Sequence, residues 1–289
     1  MPPPTSNDTM TQSIHFVDVF GTGPLSGNPL AVVSGADAFS TGEMQRLTRW
    51  FNLSETAFLL APAHPQAHYR VRIFTLDREM PFAGHPTLGS CHAWLATQGA
   101  SAGAAQFIQE CGAGLVPIRH DHGRLAFAAP PLIRSGMPTP DALDAALRML
   151  GIGAGDVLDA AWVDNGPGWL GIRLASAEQV LALEPARRWP GRIDVGVVGP
   201  HPAGADAAFE VRAFFSDHRG AIVEDPVTGS LNASLAQWLF ASGVAQRDYV
   251  AAQGTRLGRR GRIHLGRDQA GQVWVGGATR SHVQGVLQL

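Results

Sequence analysis

The sequence predicts an α+β chain of two similar halves, each a curved sheet wrapped around one central helix. The first observation behind this is size: 289 residues, 45% apolar and 16% charged, can bury a core in one large domain or two ordinary ones. The second is an internal repeat. Residues 71–95 laid over 211–235 without a gap give nine identities, at Val71/Val211, Arg72/Arg212, Phe74/Phe214, Asp77/Asp217, Pro86/Pro226, Gly89/Gly229, Ser90/Ser230, Ala93/Ala233 and Leu95/Leu235. A shift of 140 divides the chain almost in half, as a duplication would. The third is that strand, turn and helix signals follow one another in the same order in both copies.

Taken in order, the apolar and β-branched runs at Ile14–Phe20, Leu30–Val33 and Thr56–Ala61 predict strands, with an amphipathic helix at Thr41–Phe51 between the last two. Tyr69–Thr75 alternates apolar and polar residues, the pattern of a half-buried strand, and after a turn Gly84–Leu95 opens a helix. Pro86 is tolerated there because a first-turn N–H has no intrahelical partner. Leu125–Ala128 predicts another strand and Asp141–Leu150 a second peripheral helix. Strands follow at Trp169–Leu174 and Asp194–Val198. The second copy then repeats the first, with a strand at Phe209–Phe215, a turn around Glu224-Asp225-Pro226, a helix over Leu231–Phe240, and a last strand at Gln272–Val275. Residues 1–12, rich in Pro, Ser, Thr and Asn, are expected to be a disordered tail. The first half is assigned to 13–122, completed by 279–289, and the second to 123–278; Pro117 and His120-Asp121-His122-Gly123 mark the softer boundary between them.

Composition excludes several chemistries. All 22 basic residues are arginine, so no lysine exists for a pyridoxal-phosphate Schiff base, an amine-dependent aldolase or a P-loop. With 24 acidic residues the formal charge is −2, which offers no field to recruit nucleic acid or an anionic membrane. Cys91 and Cys111 form no C-x-x-C, so neither a disulfide framework nor a cysteine zinc site is expected. No run is long and apolar enough to span a bilayer, and the first eight residues lack the parts of a signal peptide; the expected location is cytoplasmic.

The start of each central helix offers unpartnered N–H groups and the positive end of the helix dipole, hence an anion site. Pseudo-symmetry would bring the two starts together across a cleft, with His85 and Asp225, equivalent in the gap-free repeat, facing one another over a small acid. Each also has a plainer reading as a helix cap. Glu55, in Asn52-Leu53-Ser54-Glu55-Thr56-Ala57-Phe58, enters an apolar strand. It is either a solvated loop glutamate or, beside a dry cleft, a carboxyl group of raised pKa suited to acid–base work.

Gly27-Asn28-Pro29-Leu30-Ala31-Val32-Val33, Leu53-Ser54-Glu55-Thr56-Ala57-Phe58, Pro81-Phe82-Ala83-Gly84-His85-Pro86-Thr87-Leu88-Gly89, Glu224-Asp225-Pro226-Val227-Thr228-Gly229-Ser230 and Gln253-Gly254 through Gly258-Arg259 together resemble the phenazine-biosynthesis PhzF-like isomerase family. The resemblance spans about Val17 to Val286. It implies the diaminopimelate-epimerase fold, usually as a homodimer and without cofactor or metal, acting on a small cyclic or unsaturated amino- or hydroxy-carboxylic acid. It implies Glu55 as the proton-shuttling acid–base and His85 and Asp225 as the residues that orient the substrate. Gly84, Pro86, Thr87, Thr228, Gly229 and Ser230 become the substrate-binding set, with N–H groups around Gly84 and Ser230 on the carboxylate.

Two-base racemases and epimerases of the same superfamily carry a cysteine at each helix start, where this chain has Ala83-Gly84-His85 and Glu224-Asp225-Pro226. One carboxylate serving as acid and base suits isomerisation. An amino-acid racemase or epimerase of the same fold, and a non-catalytic small-acid binder, remain the alternatives. Leu76-Asp77-Arg78-Glu79 and Leu231-Asn232 depart from the family pattern, which leaves the substrate open. Gly21-Thr22-Gly23-Pro24-Leu25-Ser26-Gly27 and Gly151-Ile152-Gly153-Ala154-Gly155 miss the dinucleotide fingerprint and read as turns. His120-x-His122 lacks a third ligand, and Arg256, Arg259, Arg260, Arg262 and Arg267 read as a solvated face.

Overall fold

The computed structural model describes residues 11–98, 105–121 and 123–289. The first half supplies β1 (Thr11–Val19), β2 (Asn28–Ser34), α1 (Thr41–Phe51), β3 (Glu55–Leu60), β4 (Tyr69–Thr75), β5 (Glu79–Met80), α2 (Gly84–Gln98), β6 (Gln106–Cys111), β7 (Gly114–Asp121) and β8 (Arg124–Ala128). The second supplies β9 (Arg134–Gly136), α3 (Pro140–Leu150), β10 (Val157–Asp164), β11 (Leu170–Leu174), α4 (Ala177–Ala182), β12 (Asp194–Pro200), β13 (Phe209–Ser216), β14 (Ile222–Asp225), α5 (Gly229–Ala241), β15 (Tyr249–Gln253), β16 (Gly261–Arg267), β17 (Val273–Gly277) and β18 (Thr279–Gln288).

The two halves repeat one pairing order. In the first it runs β18–β1–β2–β3–β4–β6–β7–β8, antiparallel except for the parallel pairs β2–β3 and β4–β6, with β5 added to β4. In the second it runs β9–β10–β11–β12–β13–β15–β16–β17, antiparallel except for β11–β12 and β13–β15, with β14 added to β13. β8 and β17 hold the same place in the two orders and pair antiparallel with each other. β8, assigned from the sequence to the second half, lies beside β7 in the order of the first. β9 follows β8 in the chain yet pairs with β10, and β18 follows β17 yet lies along β1 from Thr11↔Gln288 to Val19↔Thr279.

α2 and α5 sit inside the sheets because they are apolar or small on every side. Residues Gly84 through Cys91 are all buried, as are ten residues of α5, including Leu231, Leu235 and Leu239. α1 is peripheral and amphipathic, as expected, and is bounded by local chemistry. A capping box joins Ser40 to Glu43, and Asn52 stops the helix in the left-handed region at φ 55°. α3 starts with Thr139 as cap and Pro140 in the first turn.

Two further expectations are corrected. Thr11 and Gln12, read as tail, are already strand, because β18 gives their backbone a partner; residues 1–10 lie outside the described residues. The gap-free repeat also holds only as far as the β4–β5 hairpin. Ile73 pairs with Met80 in the first half and Ala213 with Asp225 in the second, so the second hairpin is five residues longer and the true offset beyond it is 145. Glu79/Glu224, Pro81/Pro226 and Gly84/Gly229 are then the equivalent pairs, and His85 corresponds to Ser230 rather than to Asp225.

Candidate active site

The two central helices meet start to start. A Cβ on Gly84 would lie 2.6 Å from the Gly229 backbone, and one on Gly229 would lie 2.8 Å from Gly84 Cα. Only glycine at both positions lets the helix ends touch, which directs two sets of unpartnered N–H groups and two dipoles into one place.

Around that contact the structure gathers side chains from both halves. Glu55 is the first residue of β3, opposite Thr75, placed there once Asn52 has ended α1. His85 lies in the first turn of α2 and is 3% exposed. Its Nε2 is 3.6 Å from Glu55 Oε2, too long for a hydrogen bond. Asp225 is the last residue of β14, so the helix-cap reading of it is corrected: Thr228 is the N-cap of α5, and its hydroxyl donates to Asp225 Oδ2 at 2.5 Å.

Asn28 connects these groups and was given no role by the sequence reading, although it stands in one of the quoted motifs. Fully buried at the start of β2, its Nδ2 lies 3.2 Å from His85 Nδ1, 3.1 Å from Asp225 Oδ1 and 2.9 Å from Val227 O. One amide thus touches the imidazole of the first half and the carboxylate of the second. Because Asn28 Nδ2 can only donate, His85 Nδ1 accepts, and the imidazole proton sits on Nε2, facing Glu55. Gln253 was likewise passed over. Its Oε1 accepts from Thr228 N and Asn232 Nδ2, while its Nε2 donates to Asp225 O and Thr228 Oγ1. Their sequence signal is a buried amide in a run of small residues, which is too common to single out.

The other predicted residues divide. Ser230 lies beside the helix contact, with its hydroxyl accepting from Trp169 Nε1 at 3.3 Å and its carbonyl from Asn165 Nδ2 at 2.8 Å. Thr87 turns away: its hydroxyl donates to Ala83 O and accepts from Gln109 Nε2. Pro86 is buried in the first turn and has no N–H to offer. Among the described residues, buried polar atoms without a hydrogen-bond partner include Asn28 Oδ1, Glu55 Oε2, His85 Nε2 and Asn165 Oδ1. Orphans of this kind are rare in folded proteins and costly. Here several belong to side chains at the meeting of the two helix starts.

Burial sets the protonation states. It raises the Glu55 carboxyl well above the usual range, and the neighbouring Asp225 adds to this. Asp225 is pushed up to about 6, again mainly by burial, against the opposing hydrogen bonds from Thr228 and Asn28. His85 is pushed down to about 3 and is therefore neutral at pH 7. Cys91, inside α2, is pushed up to about 12, the state of an inert thiol. No group of three potential metal ligands occurs among the described residues, and His122 of the His120-x-His122 motif lies outside them. The arginine cluster is dispersed: Arg256 pairs with Glu184, Arg262 pairs with Asp206, and Arg267 stacks on Phe240.

Comparison with known proteins places this geometry. Residues 17–285 match the family described as phenazine biosynthesis-like protein. An uncharacterized isomerase of Pasteurella multocida is 33% identical, over 91% of this chain and 89% of its own. The trans-2,3-dihydro-3-hydroxyanthranilate isomerase of Pseudomonas aeruginosa is 31% identical, over 89% and 90%. Among solved structures, a PhzF-family protein of Enterococcus faecalis superposes with a TM-score of 0.75 over 97% of this chain and 100% of its own, at 24% identity. The fold is thus the diaminopimelate-epimerase-like fold expected from the sequence.

Proposed function

This chain belongs to the phenazine biosynthesis-like family and is an isomerase; we propose that it moves a proton within a small cyclic or unsaturated amino- or hydroxy-carboxylic acid, with Glu55 as the single acid–base. The observation that carries this is the asymmetry of the site. One carboxyl group of raised pKa stands on one side of the paired helix starts, and no thiol stands at either of them.

The substrate carboxylate accepts hydrogen bonds from N–H groups near Gly84 and Ser230, where both helix dipoles favour a negative charge. Neutral His85, held by Asn28, presents Nε2–H to the reacting face beside Glu55. Asp225, its two oxygens occupied by Asn28 and Thr228, faces the amino or hydroxyl substituent. Glu55 takes a proton from one carbon and returns it to another on the same face. A carboxyl group whose pKa lies closer to the working pH loses and regains a proton with less penalty in each direction. The residues need no cofactor for these steps, and the working assembly is read as a homodimer in the cytoplasm.

The test is solvent isotope exchange. trans-2,3-Dihydro-3-hydroxyanthranilate, on which the Pseudomonas aeruginosa relative acts by name, is the first candidate, followed by other unsaturated amino and hydroxy acids chosen by thermal shift. Incubation in deuterated water should give an isomer labelled at carbon by the parent and not by Glu55→Gln. Binding without label from every acid that raises the Tm would overturn the reading in favour of a non-catalytic binder.

A further inference from the structure

Away from the helix starts, a cavity of about 280 Å³ opens at the seam between the halves. Its wall comes from four separate stretches: the turn Phe20-Gly21-Thr22-Gly23, Arg124 at the start of β8, Arg262 and His264 of β16, and Ala278, Thr279 and Arg280 where β18 leaves the second half for the first. Two motifs that the site did not absorb, the glycine-rich turn and part of the arginine run, meet here.

The turn is held rigidly. Phe20 takes the left-handed conformation at φ 68°, unusual for a bulky residue, and is fully buried. Its N–H donates to Ala278 O, and its carbonyl accepts from Arg262 N. A Cβ on Gly277 would lie 2.2 Å from its ring. The cavity is therefore a built feature, framed by both halves and the exchanged strand.

Its charge is unbalanced. Among the described residues that line it, the guanidinium groups of Arg124, Arg262 and Arg280 outnumber the one lining carboxylate, Asp18, whose two oxygens already accept from Ser26 N and Gly27 N. Arg262 is engaged at all three nitrogens, Nε and Nη2 by the exposed Asp206 and Nη1 by Gly261 O. Among the described residues, neither Arg124 nor Arg280 has a carboxylate partner. Like charges gathered in a recess repel one another unless an anion enters, and guanidinium forks match the oxygens of phosphate and carboxylate.

We propose that this cavity binds a compact oxyanion with two or more negative charges, of the phosphate or polycarboxylate kind. Arg124 and Arg280 hold it, while Arg262 and His264 line the wall from β16. The bound anion ties the first half's turn to β16 and β18 across the seam. The site is separate from the cleft and its ligand is not the substrate.

The test titrates inorganic phosphate, pyrophosphate and citrate against the full chain at constant ionic strength, with chloride as the control, by thermal shift and calorimetry. At least one should bind with 1:1 stoichiometry and raise the Tm by about 3 °C or more near saturation; tighter binding of pyrophosphate or of citrate tells a phosphate ligand from a polycarboxylate one. Arg124→Gln with Arg280→Gln, which removes two of the lining charges, should weaken binding at least tenfold. His85→Ala should leave it unchanged. Absence of saturable binding to the parent, equal binding by the double arginine variant, or loss of binding in His85→Ala would each overturn the proposal. None of these readings depends on turnover, so they stand apart from the isomerase test.

Discussion

The hairpins that lead into the two central helices are built on one plan and used in two ways. In the first half Arg72 forms a two-pronged ion pair with Glu79 and lies over the Phe74 ring; in the second Arg212 does the same with Glu224 over Phe214. Asp18 accepts two turn N–H groups, from Ser26 and Gly27, and Asp164 accepts two from Gly166 and Gly168. The scaffold has therefore kept its symmetry. The reacting positions have not: Glu55 opens β3 opposite Thr75, while the matching residue, Asp194, opens β12 opposite Phe215 and is tied to Arg192 by two hydrogen bonds. Asp225 stands where the first half has Met80, and Ser230 where it has His85. Residues that carry load are constrained alike in both halves, and those that face a ligand are free to diverge.

The sharpest way to break this comparison is to remove the two matched carboxyl groups in turn. Glu55→Gln keeps shape and removes the exchangeable proton, and should lower kcat by about 10²–10⁴ with little change in KM. Asp194→Asn should cost less than about tenfold, since Arg192 keeps that carboxylate out of proton transfer. Comparable losses from both, read by steady-state kinetics on folded protein, would restore a two-base scheme.

The matched arginines should differ next in stability. Arg212 is 5% exposed and also donates to Val180 O and Leu183 O, so Arg212→Met leaves Glu224 and two carbonyls buried without partners. Chemical denaturation should show a loss of about 3–5 kcal/mol. Arg72 is 19% exposed against a Glu79 that is 39% exposed, and Arg72→Met should cost about 1 kcal/mol or less.

A smaller effect concerns pH. The folded-state pKa of Asp225 is raised from 3.8 to about 6, so folding favours its protonated form; that contribution is complete below pH 4 and is lost as pH rises through 6. His85 runs the other way: with a folded pKa of about 3, its contribution is complete above pH 6.5 and falls away on acidification. The two oppose each other in the parent, so the difference between Asp225→Asn and parent is the quantity to measure. The variant should gain about 1–3 kcal/mol between pH 4 and pH 7 relative to the parent, while turnover falls. A flat difference curve would mean that Asp225 is not held in a desolvated site.

The smallest effect tests the thiols. Cys91→Ser combined with Cys111→Ser should leave kcat/KM within a few-fold, since the Cys91 thiol is buried well inside α2 and neither thiol stands at a helix start.

Much of the fold was legible from local pattern. α1 and β4 fall where the alternation and spacing put them, because α1 has its own caps and amphipathic face, and β4 its own period of two. The halving of the chain was visible in Val71/Val211 and Arg72/Arg212. Glu55, His85 and Asp225 could be named because they stand in motifs. The failures share one cause. β18, with its run of exposed residues, and β10, whose first four residues are not buried, are strands only because another strand lies alongside. The short α4 and the five added hairpin residues leave no periodic trace.

The sequence by itself determined two copies of a strand–hairpin–helix unit, the absence of lysine and helix-start cysteine chemistry, and glycines where the helix ends would touch, since these follow from residue type and short-range spacing. Tertiary structure alone decided that His85 matches Ser230 and that Asn28 joins His85 to Asp225 across 57 and 197 residues. It alone decided that β8 joins β7 and also pairs with β17 across the two halves. Such contacts depend on which surfaces are buried against each other, and burial, which moved the pKa of Glu55, Asp225 and His85, is a property of the packed chain and of no segment within it.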